Sequence, residues 1–458
     1  MKSTKEMTIG TPWKVIIAFA VPILISNIFQ QLYNSVDSLI VGNYLGKEAL
    51  AAVSSSGNLI FLFTSFFIGT AQGAAVVISK HFGEKNYTDM RRAIHTNIAF
   101  GLVASIILTI LGVLLTPTIL RWMNVDESVL PNSIAYFRNY FIGVTGVILY
   151  NIFSGILQAV GNSRVPLYFL IFSSLLNVFL DWLFVGVCHF GVGSAATATS
   201  ISQLASAILC LVFLMRKGTV YQVVIKEIRF HKDMLKAILH FGVPAGVQNS
   251  VIALANVVVQ SNINSFGADA MAACGTYSKL EGFAFLPITC FTMAITTFIG
   301  QNLGAKEYDR AKRGARFGIL TSVLLAELIG VILYFSCPFF ISLFIQDSSV
   351  IHIGVTQFHT IALFYGLLAF SHCIAAVCRG AGKAIIPMLV MLVVWCGIRV
   401  LYITIMMHFF SYDNIQNIVY LFWAYPITWL ISSIIYFIYY HFSDWIHGFE
   451  KKEKIHSL

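Results

Sequence analysis

Long apolar stretches alternate with short polar ones from one end of the chain to the other. Runs of 18 or more residues, enough for a helix to cross a bilayer, recur near 14–42, 55–80, 93–117, 132–157, 165–187, 192–215, 237–262, 274–299, 315–344, 351–376, 384–407 and 413–440. This pattern predicts an all-α integral membrane protein with twelve transmembrane helices and almost nothing left over for a soluble domain. The first run is long, is interrupted by Pro22 and lacks a small-residue cleavage site, so it reads as a retained helix rather than a signal peptide.

The pattern also repeats. "FAVPILISN" at 19–27 matches "FGVPAGVQN" at 241–249, and after a one-residue slip the offset settles at 221. At that offset "GEKNYTDMRR" (83–92) meets "GAKEYDRAKR" (304–313), and "GNSRVP" (161–166) meets "GKAIIP" (382–387). Each copy holds six spans, and an even number makes both enter the membrane in the same direction. Two pseudo-symmetric six-helix bundles in a parallel repeat are therefore expected, an N-terminal lobe over 1–220 and a C-terminal lobe over 221–458, with a cavity between them. The basic, amphipathic linker at about 217–236 is long enough to lie along the inner surface.

Composition agrees with this reading and charge orients it. The chain of 458 residues is 58% hydrophobic and 11% charged, against about 25% charged in soluble domains. With the N-terminus inside, 24 of the 29 Lys and Arg fall in inner loops and tails, which places both termini in the cytoplasm. The net charge of +9 then reflects topology and contact with anionic lipids, not nucleic acid. Eight scattered cysteines without CxxC or Cys/His spacing read as small buried hydrophobes. No Walker motif provides for ATP.

Against this apolar background, ionisable residues inside spans need a reason, because each costs about 2.5–3.5 kcal/mol on insertion scales. In span 1, Asn27, Gln30, Gln31, Asn34, Asp37 and Ser38 fall on one third of the helix circumference, opposite Ile28, Leu32, Val36 and Leu39. Asp37 in span 1, Asn177 and Asp181 in span 5 and Thr199 in span 6 share a depth in the first half. Two carboxylates with amide and hydroxyl oxygens nearby suit a proton or a hard cation such as Na⁺. The structural alternative is that each Asp only bonds a neighbouring helix. The second half has Gln248 and Asn249 but no acid at the start of span 7. Lys279, Glu281 and Arg399 lie deep in spans 8 and 11, with Glu281 or Glu327 as the expected counter-ion of Arg399; ion pairing and substrate contact both remain open for them. Phe61 and Phe63 of span 2 are candidate aromatic contacts for a flat organic cation or plain lipid-facing packing. "GTAQGAA" at 69–75 places small residues where helices approach closely.

Together, "VPILISN…VDSLIVGNYLG", "GEKNY", "QAVGNSRVP", "NVFLD", "VPAGVQN" and "GQNLGAKEYDRAKRG" resemble the multidrug and toxic compound extrusion (MATE) family over essentially the whole chain, in its bacterial DinF-like branch. The resemblance implies a V-shaped, expectedly monomeric antiporter in the bacterial cytoplasmic membrane. It would export small organic cations in exchange for H⁺ or Na⁺, with no other cofactor. The cation-coupling positions of that branch fall on Asp37, Asn177, Asp181 and Thr199. Asn27, Gln30, Asn34, Phe61, Phe63, Gln248, Asn249, Lys279, Glu281 and Arg399 are then candidates for the substrate cavity. Members that rely on an acid in span 7 differ from this chain, which favours the N-terminal site. The nearest alternative is a flippase for a lipid-linked oligosaccharide or other amphiphile, which would be expected to carry a strongly basic cavity. An intramembrane enzyme is disfavoured by the lack of a clustered catalytic set, and a channel by the two-lobed repeat.

Overall fold

A computed structural model describes residues 6–122 and 129–449, leaving out the side chains at 47, 48, 50, 51, 54–59, 61–63 and 122. All regular structure among the described residues is helical. The first half runs through α1 (Pro12–Leu45), α2 (Lys47–Gly83), α3 (Tyr87–Trp122), α4 (Leu130–Ile142), α5 (Val144–Ala159), α6 (Arg164–Asp181) and α7 (Gly193–Leu214). The second runs through α8 (Lys232–Asn264), α9 (Ala268–Gly304), α10 (Tyr308–Ser342), α11 (Ser348–Ile361), α12 (Tyr365–Gly380), α13 (Ile385–Val390), α14 (Arg399–Phe409) and α15 (Ile418–Phe442). A π-helical segment, Trp182–Val187, extends α6, and another, Met391–Ile398, joins α13 to α14.

Among the described residues, ten helical segments are long and apolar enough to cross a membrane. An eleventh span is formed by α4 and α5 together, bent by 46° at Gly143. α2, 37 residues long, occupies the position of the second expected span. Side chains such as Leu114, Leu175, Leu324 and Phe335 stay exposed on these helices, as they must where the solvent is hydrocarbon.

The repeat reaches the backbone. Left-handed residues occur in pairs 221 apart: Gly46 with Gly267, Lys85 with Lys306, and Gly161 with Gly382. The last two pairs end helices by the same device. Asn86 N–H reaches His81 O and Glu307 N–H reaches Asn302 O, while Asn162 N–H reaches Leu157 O and Lys383 N–H reaches Cys378 O. Each is the six-to-one bond of a Schellman cap, which requires a left-handed residue just past the helix.

The chain groups into two compact units whose limits differ from a division at 220. One contains Val21–Gly246; the other contains Met7–Ala20 and the chain from Val247 onward. In the first unit, the start of α8 lies against α2 through glycines at four-residue spacing. A Cβ on Gly73 would stand 2.2 Å from Gly242 N, and one on Gly69 2.4 Å from Gly246 N. Only the hydrogen of glycine fits such a crossing. In the second unit the core is strongly aromatic, with Tyr277, Phe358, Tyr365, Trp395, Trp429 and Tyr436 buried in one cluster.

Candidate functional site

The four first-half residues singled out from sequence come together inside the first unit. Asp37 is carried by α1, on the edge of its polar stripe, while Ile28, Leu32 and Leu39 on the other side are exposed. Asp181 is the last residue of α6 before the π-helical segment, and Asn177 lies one turn earlier. Such wide turns recur at functional sites because they re-aim the side chains beside them. α7 adds Thr199, whose hydroxyl oxygen accepts from Asn177 Nδ2 at 3.3 Å.

Asp37, Asn177 and Asp181 are 7%, 1% and 0% exposed. The carboxyl groups of Asp37 and Asp181 face each other within hydrogen-bonding reach. Asp37 Oδ1, both carboxylate oxygens of Asp181 and Asn177 Oδ1 are buried and receive no donor from the described residues. Four orphaned acceptors in one place are unusual, since buried polar groups are nearly always partnered. Two adjacent carboxylates out of water also repel each other. A proton between them, or a small cation among the oxygens, removes both costs. A donor set of carboxylate, amide and hydroxyl oxygens is of the type hard cations take.

Tyr33 and Gln203 complete the surroundings. Tyr33, one turn before Asp37, is 7% exposed, and Gln203, one turn after Thr199, donates from Nε2 to Tyr33 Oη at 3.4 Å. Tyr136 of α4 is buried in an apolar cluster with Val41, Val185 and Val192 beside the site. Sequence reasoning ranked ionisable residues and overlooked both Tyr33 and Gln203. The signal was present in their i±4 spacing from Asp37 and Thr199.

The residues expected to touch cargo are placed less uniformly. Asn27 is half-buried, whereas Gln30 and Asn34 are exposed on α1. Phe61 and Phe63 belong to α2, and their side chains lie outside the described residues. In the second unit Gln248 is buried with no donor to its Oε1, and Asn249 is half-buried. Lys279 is exposed, its ammonium 5.9 Å from the ring centre of Phe344. Glu281 faces another way and accepts from Tyr277 Oη at 2.9 Å, which in turn lies 3.1 Å from Tyr365 Oη.

One expectation is corrected. Arg399, 1% exposed, pairs with neither Glu281 nor Glu327. Glu327 instead accepts from Gly366 N–H at 2.9 Å. The guanidinium donates to Thr428 Oγ1 at 2.8 and 3.3 Å and lies over the rings of Tyr425 and Trp395, at 4.6 and 4.9 Å. Flat, weakly hydrated and delocalised, it is stabilised by two π faces where an ammonium would need a carboxylate.

Comparison with known proteins follows the same two-part plan. The MatE family model matches residues 22–183 and again 244–405. The probable multidrug resistance protein YoeA of Bacillus subtilis is 28% identical over 96% of each chain. A probable multidrug resistance protein NorM of Thermotoga maritima is 25% identical over 82% of each. Among solved structures, a MOP superfamily transporter from Pyrococcus furiosus aligns with a TM-score of 0.89 at 20% identity, covering 96% of this chain and 97% of the other. An outward-facing multidrug resistance MATE family transporter aligns at 0.88 and 20%, covering 96% and 98%. The doubled match of the family model, together with relatives alike over nearly their whole length, means that this chain, a multi-pass membrane protein, belongs to the MATE family of transporters.

Proposed function

We propose that this chain is a secondary active multidrug efflux antiporter of the bacterial plasma membrane, exporting organic cations in exchange for H⁺ or Na⁺ by alternating access. Both termini would face the cytoplasm. The observation that supports the coupling role is the buried cluster of unpartnered acceptors on Asp37, Asp181 and Asn177. In its empty state the cluster carries two facing carboxylates with no donor; loading H⁺ or Na⁺ supplies the missing partner and removes the repulsion. Asn177 donates from Nδ2 to Thr199, which leaves its Oδ1 as one more oxygen for an entering ion, and the bond between Gln203 and Tyr33 fixes the α1 turn that carries Asp37. Because Asp37 sits on the polar stripe that also bears Asn27, Gln30 and Asn34, ion loading is felt on the surface offered to cargo. In a one-for-one exchange of monovalent cations no net charge crosses, so the ion's concentration gradient drives export, and a potential of 100 mV adds about 2.3 kcal/mol only for each charge entering in excess of the charge exported.

The test is efflux of a fluorescent organic cation from proteoliposomes under an imposed pH gradient or Na⁺ gradient. Movement driven by one gradient and abolished by Asp37→Asn and by Asp181→Asn is expected, and the effective gradient identifies the ion. Coupled transport surviving in both variants would place the ion elsewhere. Well-folded protein moving no cation under either gradient would redirect the reading to amphiphilic or lipid-linked cargo.

A further inference from the structure

Away from the acidic cluster, at the loop ends of the first unit, a cavity of about 230 Å³ opens between the first turns of α3 and the segment that joins the two halves. Thr88, Arg91, Arg92 and His95 line it from α3; Glu227, Arg229 and His231 line it from the joining segment. Three guanidiniums thus face one carboxylate. Their pairing is uneven. Arg92 is fully engaged, with Asp89 at 2.9 Å and Asp233 at 2.8 Å, and ties the start of α8 to α3. Arg91 shares Glu227 at 3.1 Å through Nη2, but its Nε is buried with no acceptor. Arg229 is exposed, and its guanidinium donates from Nε to His231 Nε2 at 3.4 Å. It has no carboxylate partner among the described residues.

The rest of the cavity is rigidly built. His95, 1% exposed, donates from Nδ1 to Arg91 O at 2.7 Å and accepts at Nε2 from Val224 N–H at 3.0 Å. Both His95 ring nitrogens are thereby committed, and the ring pins the joining segment to α3. His231 is held through its backbone N–H and its ring Nδ1, both on Thr96 Oγ1, at 3.2 and 3.1 Å. Burial, and then the positive charges of Arg92 and Arg229, hold the His231 imidazole below its ordinary 6.5. The three arginines and the carboxylates of Glu227, Asp89 and Asp233 balance in number, but Asp89 and Asp233 are taken up by Arg92, which leaves Arg91 and Arg229 against Glu227 within the cavity. The positive end of the α3 dipole, at Thr88, adds to that excess.

We infer that this cavity is a binding site for a phosphate group, with Arg229 as its principal ligand and the Arg91 guanidinium, shared with Glu227, as the second. Planar guanidiniums with unused donors match the tetrahedral oxygens of a phosphate better than they match chloride. The site is single in the molecule, because the joining segment that supplies half of it occurs once. A bound phosphate would fasten that segment to α3, acting through stability rather than through the ion-coupling cluster. Two sources share this chemistry: the headgroup of an anionic phospholipid, and a soluble phosphate compound.

The purified full-length protein in detergent is titrated with short-chain phosphatidylglycerol, with short-chain phosphatidylcholine and with inorganic pyrophosphate, at constant ionic strength, while thermal unfolding is followed. Phosphatidylglycerol or pyrophosphate is expected to raise the unfolding midpoint saturably, with the effective one naming the source; phosphatidylcholine is not. Arg229→Ala should weaken the apparent affinity about tenfold, the loss of one charge-assisted bond, and Arg229→Lys less than that. The lysine variant carries the test should the alanine variant unfold. No saturable shift from either anion, or a shift of undiminished affinity in the Arg229 variants and in Arg91→Ala, would overturn the inference.

Discussion

At the scale of single residues the molecule separates a polar group that stabilises from one that waits for a ligand. Arg399 is of the first kind: Nε and Nη2 donate to Thr428, and the rings of Tyr425 and Trp395 lie against its guanidinium. Arg399→Ala should lower stability by about 2–4 kcal/mol through lost packing and two cation–π contacts, and Arg399→Lys should not restore it, because an ammonium cannot stack. Thermal unfolding of the two variants decides; full rescue by lysine would mean that charge alone matters. Asp181 is of the second kind. Asp181→Asn places an amide donor among orphaned acceptors and removes one of two facing charges, so folded stability at neutral pH should hold or rise by about 1–2 kcal/mol while gradient-driven transport is lost. A destabilised variant that still couples transport would contradict this split. The sequence showed these residues clearly, since charge in an apolar run stands out. It did not show their partners: nothing in a one-dimensional pattern tells whether a buried arginine meets a carboxylate or two aromatic rings.

At the scale of helices and connections, small residues and caps carry the specification. The glycine crossing of α2 on α8 leaves no room for a side chain, so Gly73→Leu should sharply reduce the yield of folded protein, whereas Gly155→Ala, with nothing within 4 Å of the added carbon, should be silent. Size-exclusion profiles of the two variants test the contrast. The run "GTAQGAA" announced such a contact, though not its partner. The joining segment predicts a pH effect. His231 binds protons less readily folded than unfolded, so below about 6.5 the unfolded segment holds more protons and its attachment weakens as pH falls; above that value the contribution is complete. The protection of amides across 222–236, with the intrinsic slowing of exchange at lower pH divided out, should therefore fall from pH 7.5 to 5.5, and His231→Gln should flatten the dependence. The same fall in the variant would assign it to another group. The fastening of this segment to α3 through His95 and Thr96 was not legible from its basic, amphipathic composition, which suggested only a linker lying along the inner surface.

At the scale of the whole molecule, the repeat was the most legible feature, because matching loops at one offset require matching caps. The three left-handed pairs, 221 apart, are the physical form of that match. What the repeat concealed is that compactness does not follow it. α1 changes unit between Ala20 and Val21, next to Pro22, and α8 changes between Gly246 and Val247, just past Pro244. A proline inside a helix frees a carbonyl and bends the axis, so a helix can leave one neighbourhood and join another there. The stretch leading into α1 is held in the second unit by a defined set of bonds. Met7, 1% exposed, donates its N–H to Gln301 Oε1 at 2.9 Å, and its carbonyl accepts from Asn302 Nδ2 at 3.2 Å and from Arg310 Nη2 at 3.0 Å. Arg310 also bonds Gly10 O and lies over the ring of Phe298. Arg310→Ala removes the charged donors and leaves the Gln301 and Asn302 bonds, so the segment loosens without detaching. Amide exchange over residues 7–12 should rise about tenfold, the share of a charge-assisted bond in local opening, while residues 21–45, which pack in the other unit, keep their protection. Were exchange to rise evenly along all of α1, the helix would be opening as one piece, and its division at Pro22 would have no energetic meaning.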